Sequence, residues 1–227
     1  DSIHRANVSH RVRARLRFWA QALAMGQTHL NRYFEQSYSQ VNRYLKGTLY
    51  VGPKKSEVSP SYAYRGKIKR ISRAALTSDQ STDVAITTCS ATAQFLPENS
   101  IDYIFTDPPF GSNIMYSDLN FIWESWLRIR TNSQPEAVIS TTHQKELSNY
   151  HNLMLDSFTQ MYRALKPGRW ITVVFHNSRA SVWNAIQDAL SRAGFVVAQV
   201  VTLDKKQRTM QQMTSPGAVK NDLVINA

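Results

Sequence analysis

Cysteine is almost absent from this chain: Cys89 is the only one in 227 residues. A single thiol excludes an internal disulfide and a cysteine-based zinc site, and it suits a reducing cytoplasm. Cys89 itself reads as a small apolar strand residue. Long hydrophobic runs are missing as well. None approaches the ~20 residues that a membrane-spanning helix needs, and no signal peptide is visible. Glycine is sparse, with eight residues of which no two form Gly-x-Gly, so the chain holds no loop of that pattern to cradle a cofactor. No His, Asp and Glu residues share metal-ligand spacing. What remains is ordinary for a globular protein: 42% of the residues are hydrophobic, and the length suits one sizeable domain or a domain with an extension. The chain opens at Asp1 rather than Met, from which we expect a portion of a longer polypeptide.

Acidic residues are scarce in one place only. Residues 1–73 hold 15 Lys/Arg against Asp1, Glu35 and Glu57, a net +12 out of a total of +11, and the remainder of the chain is at −1. Such a block is expected of a surface that meets phosphates. The candidate contacts are Arg11, Arg13, Arg15, Lys54, Lys55, Lys67, Lys69 and Arg70. A solvated basic helix or an acidic partner protein would use the same charge. A second, smaller run, Lys205-Lys206 with Arg208, reads as a solvated edge or a further phosphate contact.

Residues 8–46 lack proline and carry Leu16, Trp19, Ala20, Leu23 and Leu30 near helical spacing, which predicts a helix that Gly26 bends or breaks and Gly47 stops. Residues 48–51 are expected to be extended, 52–64 to be loop, and 65–76 to be a short basic helix. The pattern then changes to alternating strands and helices. Strands are predicted at 84–88, 101–106, 170–175, 195–203 and 222–226. Helices are predicted at 116–129, 148–165 and 180–193, with Gly194 as the last stop. Residues 131–144 read as a polar connection. Alternation of this kind indicates an α/β sheet, with ligands beyond the carboxyl ends of the strands. We expect a basic, mainly helical extension over 1–80 and an α/β portion over 81–227.

The sharpest signal stands at one such strand end. Asp107-Pro108-Pro109-Phe110 follows the hydrophobic run 101–106 directly. Both Asp107 and Pro108 precede a proline and are pushed to extended backbone, while the two rings fix φ and remove competing donors. The Asp107 carboxylate and the Pro108 carbonyl therefore stand as rigid acceptors, with Phe110 as a flat face beside them. That set suits methylation of an exocyclic amine on a nucleobase, whose delocalised lone pair becomes a better nucleophile when its N–H groups are held by acceptors. A strand-terminating turn with a solvated Asp is the plainer alternative. Gly111, Asn113 and Tyr116 follow, and Asn113 and Tyr116 either line a base pocket or begin the next helix. His176 and Asn177 fall at another strand end on the same side and are candidates for that pocket.

"LPENSIDYIFTDPPFG" and "YRALKPGRWITVVFHNS" resemble the catalytic-motif region and the following helix, turn and strand of the amino-methyltransferases that act on adenine N6 or cytosine N4 in DNA. "NRYLKGTLYVG" resembles a subgroup of bacterial DNA methylases. The resemblance implies a partial Rossmann-like methyltransferase sheet with helices on both faces. It implies S-adenosylmethionine as donor, DNA as partner, and a base flipped out of the stack. Asp107, Pro108, Pro109 and Phe110 would be the catalytic set, and Ser90, Thr106 and Asp107 would lie near the donor. The family's glycine-rich donor loop has no counterpart here. The resemblance therefore implies that a preceding part of the same enzyme, or a second subunit, supplies it, and that this chain alone binds the donor weakly. An RNA base methyltransferase and a non-catalytic nucleic-acid-binding module of the same fold remain the alternatives.

Overall fold

The computed structural model describes residues 2–36, 38, 51–77, 83–112, 114–203 and 222–227. The chain divides into two compact units, Asp1–Ala85 with Met115–Ser133, and Ile86–Ile114 with Gln134–Ala227. No helix among the described residues is long and apolar enough to cross a membrane.

The first unit is helical. Helices α1 (Ser2–Arg5) and α2 (His10–Ala24) are followed by a short 3-10 turn, Met25–Gln27. The helix predicted to reach residue 46 thus ends at Ala24, because local side chains take over the backbone groups. The Thr28 hydroxyl donates to the Met25 carbonyl at 2.8 Å and accepts the Leu30 amide at 3.3 Å. The fully buried Asn31 amide donates to the carbonyls of Gly26 and Ser56, both at 3.0 Å. Such bonds compete directly with helix continuation. Residues 39–50, which carry the remainder of that prediction, the Gly47 stop and most of the extended piece, lie outside the described residues. Helix α3 (Pro60–Thr77) begins five residues earlier than the sequence pattern suggests. Pro60 stands at the first helical position, where a missing N–H costs nothing. Trp19 joins the two helices: its indole N–H donates to the Tyr64 carbonyl at 3.1 Å, and the rings meet edge-on at 4.7 Å. Helix α4 (Tyr116–Leu127) belongs to this unit and packs on α2. Its buried Glu124 accepts the Thr131 hydroxyl and, at 3.1 Å, the Thr131 amide; these bonds hold its carboxyl below the usual range.

Among the described residues, the second unit is a four-stranded mixed sheet with the α/β, Rossmann-like arrangement expected. Strands β1 (Ile101–Thr106), β2 (Leu165–Phe175), β3 (Gln199–Leu203) and β4 (Asp222–Asn226) lie in the order β1-β2-β4-β3. β1 and β2 are parallel and joined through α5 (Leu147–Ala164), whereas β4 runs antiparallel to both β2 and β3. Helix α6 (Ala180–Ala193) connects β2 to β3. The sheet contributes Ile171, Val173, Phe175 and Ile225 to a core shared with Tyr150, Met154 and Phe158 of α5 and Val182, Ile186 and Leu190 of α6. Residues 171, 173 and 175 alternate along one strand, so both helices cover the same sheet face, where helices on both faces were expected. The opposite face carries Tyr103, Phe105 and Trp170, all exposed.

Three strand predictions need correction. Residues 84–88 form no strand: Val84 and Ile86 are exposed, Ile86 by 92%, because β-branched composition without a neighbouring ladder does not make a strand. β2 begins at Leu165 rather than Trp170. Its first residues pass through a bulge, since Ile101 pairs with Leu165 and Tyr103 already with Trp170. Gly168 supplies the positive φ of 72° that the bulge requires. Asp102 clamps it, 2.8 Å from Lys166 Nζ and 3.4 Å from Arg169 Nη2, and the Lys166 hydrogen bond holds that carboxyl below its ordinary value. β3 begins at Gln199 rather than Phe195, because Phe195 leaves the ladder to pack edge-on against Tyr162 at 5.1 Å.

Gly194 closes α6 as predicted. Its φ is 109°, and a Cβ there would lie 2.9 Å from the Tyr162 ring. Gly194→Ala is therefore expected to cost about 2–3 kcal/mol, from backbone strain and crowding together. Urea denaturation measures this as a lower midpoint with an unchanged slope.

Candidate active site at the carboxyl end of the parallel strands

β1 and β2 run side by side with Thr106 paired to Val173, and β2 ends two residues further on at Phe175. The chain therefore delivers Asp107-Pro108-Pro109-Phe110 and His176-Asn177 to the same edge of the sheet. The half-buried Thr106 completes β1. Asp107 stands exposed at the tip, Pro108 is buried, and Pro109 and Phe110 are half-buried. All described peptide bonds in this stretch are trans. The motif is thus a presented loop on a sealed base. A cavity of about 390 Å³, lined by Lys166, Arg169, Trp170 and Phe195 among others, lies at the opposite end of β2.

Two hydrogen bonds fix the loop from below. The Tyr150 hydroxyl of α5 donates to the Pro109 carbonyl at 2.5 Å. Tyr150 is fully buried, and burial pushes its phenol well above the ordinary tyrosine range, so it stays a donor at any working pH. The Asn177 side-chain amide donates to the Phe110 carbonyl at 2.6 Å, while its oxygen accepts the Arg179 amide at 2.7 Å. Asn177 thereby ties the start of α6 to the motif. Gly111 turns the chain with φ 86°, and a Cβ there would come within 3.2 Å of Ile139 and 3.3 Å of Val182. Its carbonyl accepts the Ile139 amide at 3.2 Å, which links the 134–145 segment to the same loop.

The Phe110 ring packs edge-on against Phe175 at 5.5 Å and lies 6.1 Å from the His176 imidazole. His176 Nδ1 is 2.9 Å from Asp222 Oδ1, close enough for an ion pair but without the alignment of a hydrogen bond, and both atoms are closed off from water. The pairing is set by sheet register, since Phe175 opposes Leu223 and the next residues face each other.

The predicted residues are thus partly gathered. Thr106, Asp107, Pro108, Pro109, Phe110, His176 and Asn177 converge on one strand end. Ser90 does not join them through any contact: it caps an exposed turn, with its hydroxyl 2.8 Å from the Thr92 hydroxyl. Tyr116 opens α4 in the other unit, and Asn113 lies outside the described residues. Tyr150 and Asp222 are the members that sequence reasoning missed. Among the basic candidates Arg11, Arg15, Lys54, Lys69 and Arg70 are exposed, and Lys67 is half-buried. Arg13 is committed to the Ala6 carbonyl at 3.1 Å, and Lys55 Nζ lies 3.3 Å from His29 Nδ1. Lys205, Lys206 and Arg208 lie outside the described residues.

Among solved structures, a protein from Thermus thermophilus provisionally named a DNA modification methylase is similar at 14% identity, with a TM-score of 0.34, over 58% of this chain and 46% of that one. A SAM-dependent methyltransferase from Aquifex aeolicus is similar at 15% identity, with a TM-score of 0.35, over 78% of this chain and 70% of that one. The chain therefore spans about half the length of the Thermus protein. No curated protein matches it. The sequence pattern of the N6/N4 DNA methylases matches residues 101–222, from the first residue of β1 to the first of β4. The strand that ends in Asp107, the braced loop and the His176-Asn177 strand end all fall within that match, and the chain belongs to the N6/N4 DNA methylase family.

Proposed function

We propose that this chain is the base-handling portion of an S-adenosylmethionine-dependent enzyme that methylates an exocyclic amine of DNA, adenine N6 or cytosine N4. The observation that carries this reading is the loop braced by Tyr150 and Asn177, which holds the Pro109 and Phe110 carbonyls in place at the end of β1 and leaves Asp107 presented. S-adenosylmethionine, when bound, supplies a methyl carbon made electrophilic by its sulfonium. The chain's residues fit the other half of the reaction. Asp107 and the Pro108 carbonyl accept the two amine hydrogens, direct the nitrogen lone pair away from the ring, and hold it in line. Phe110 offers its face to the extruded base, and the surplus proton leaves to solvent or to a nearby acceptor. Positioning and fixed dipoles are the main catalytic contributions.

The donor side is a different matter. The chain holds no Gly-x-Gly. Among the described residues β1 pairs only with β2, which leaves its outer edge open beside exposed Tyr103 and Phe105. An open edge of that kind takes up further strands readily. We therefore assign donor binding to a preceding segment of the same enzyme or to a second subunit carrying the glycine-rich loop. The missing loop also favours one other reading, a non-catalytic nucleic-acid-binding module. The exposed cations of the first unit serve DNA phosphates in either case. Methyl transfer by the complete enzyme, measured side by side on matched DNA and RNA, separates the readings. Transfer to DNA supports the proposal. Transfer to RNA alone contradicts it, and transfer to neither favours the non-catalytic module.

A further inference from the structure

Helix α3 has a face on which Tyr62, Arg65, Gly66 and Lys69 stay exposed among the described residues. Its half-buried positions are Ala63, Tyr64, Lys67 and Ile71, which recur at helical spacing on the side where Tyr64 meets Trp19. Tyr62, Arg65, Gly66, Lys69 and Arg73 recur at the same spacing on the other side, and all are exposed, Tyr62 by 77%. Gly66 is the anomaly. Glycine is the poorest helix former after proline, yet this one stands inside an 18-residue helix. Its φ is not among the positive ones, and a Cβ built on it meets nothing within 4 Å. Neither backbone conformation nor a neighbour among the described residues requires its missing side chain.

We infer that this face docks on duplex DNA, with Gly66 at the point of closest approach. The inference rests on the reading that the basic first third meets phosphates. Arg65, Lys69 and Arg73 surround the gap left by Gly66 and would bracket the sugar–phosphate backbone. A helix backbone without a side chain at that point can approach closely enough for such contact, and Tyr62 supplies a flat apolar surface one turn away. Charge complementarity is direct: the net +12 of residues 1–73 includes all three cations. Gly66 is then a clearance for the partner, held against helix propensity.

The test is Gly66→Ala in the intact chain, read in two ways. Helix propensity alone predicts a melting temperature higher by about 2–4 °C. The docking face predicts, in the same variant, duplex affinity weaker by about tenfold, the size of one lost close contact. Lys69→Ala, measured as the slope of log affinity against log salt, is expected to lower that slope by about 0.9. A Gly66→Ala chain that is more stable and binds duplex DNA as tightly as wild type overturns the inference, as does weakened binding to an RNA hairpin but not to duplex DNA. A wild-type affinity indifferent to salt instead overturns the underlying phosphate reading.

Discussion

Asp107→Ala is expected to lower methyl transfer by the complete enzyme by about 10²–10³-fold while leaving duplex affinity nearly unchanged. The asymmetry follows from where the carboxylate stands. It is exposed at the end of β1, outside the hydrophobic core. Its removal should leave the melting temperature close to that of wild type. The bound amine, by contrast, loses the acceptor that localises its lone pair, and a preorganised charge of this kind is worth about 10²–10³ in rate when one partner is deleted. On the proposed reading the duplex is held mainly through phosphates, so its affinity should depend on the basic unit instead. Filter binding and single-turnover transfer on one preparation separate the two effects. Unchanged transfer in the variant defeats the assignment of Asp107.

The second large effect is expected at Tyr150, and it comes in two sizes. Tyr150→Ala empties a fully buried aromatic site between α5 and the sheet and should cost about 3–5 kcal/mol of stability. Tyr150→Phe keeps the packing and removes only the donor that holds the Pro109 carbonyl at 2.5 Å. Its stability cost should be about 1–2 kcal/mol, that of an unsatisfied buried acceptor. Its transfer rate should still fall by about 10²-fold, because small misplacements of a reacting group are that costly. A purely structural Tyr150 would instead show kcat unchanged in the Phe variant, with only the denaturation midpoint shifted.

The elements with strong periodicity were legible in the residues. The hydrophobic run before Asp107, the apolar stripe of α5, the stop at Gly194 and the strand at 222–226 all lie where their local chemistry puts them. The failures are non-local. Residues 84–88 have strand composition, but β1 offers them no ladder. Leu165 enters β2 ahead of Pro167 and Gly168 through a bulge on which Asp102 closes from the neighbouring strand. Thr28 and Asn31 ended a helix that apolar spacing alone extended, through side-chain bonds to backbone groups as distant as Ser56. The same division holds in the site. Asp107 to Phe110 announced themselves through two consecutive prolines at a strand end. Tyr150 lies 41 residues from its partner Pro109, and Asp222 reaches His176 through sheet register, so neither carries a local signal. Gly66 lies within the basic helix predicted at 65–76, where nothing local singled it out; its meaning needed the empty space around it.

The central claim is that a carboxylate fixed at the end of β1 directs a methyl group to an exocyclic nitrogen. Mass spectrometry of nucleosides from DNA incubated with the complete enzyme and isotopically labelled S-adenosylmethionine tests it most directly. The account predicts labelled N6-methyladenine or N4-methylcytosine, absent from the Asp107→Ala reaction. Label on cytosine carbon 5, or the same labelled nucleoside at the same yield from Asp107→Ala, would contradict it.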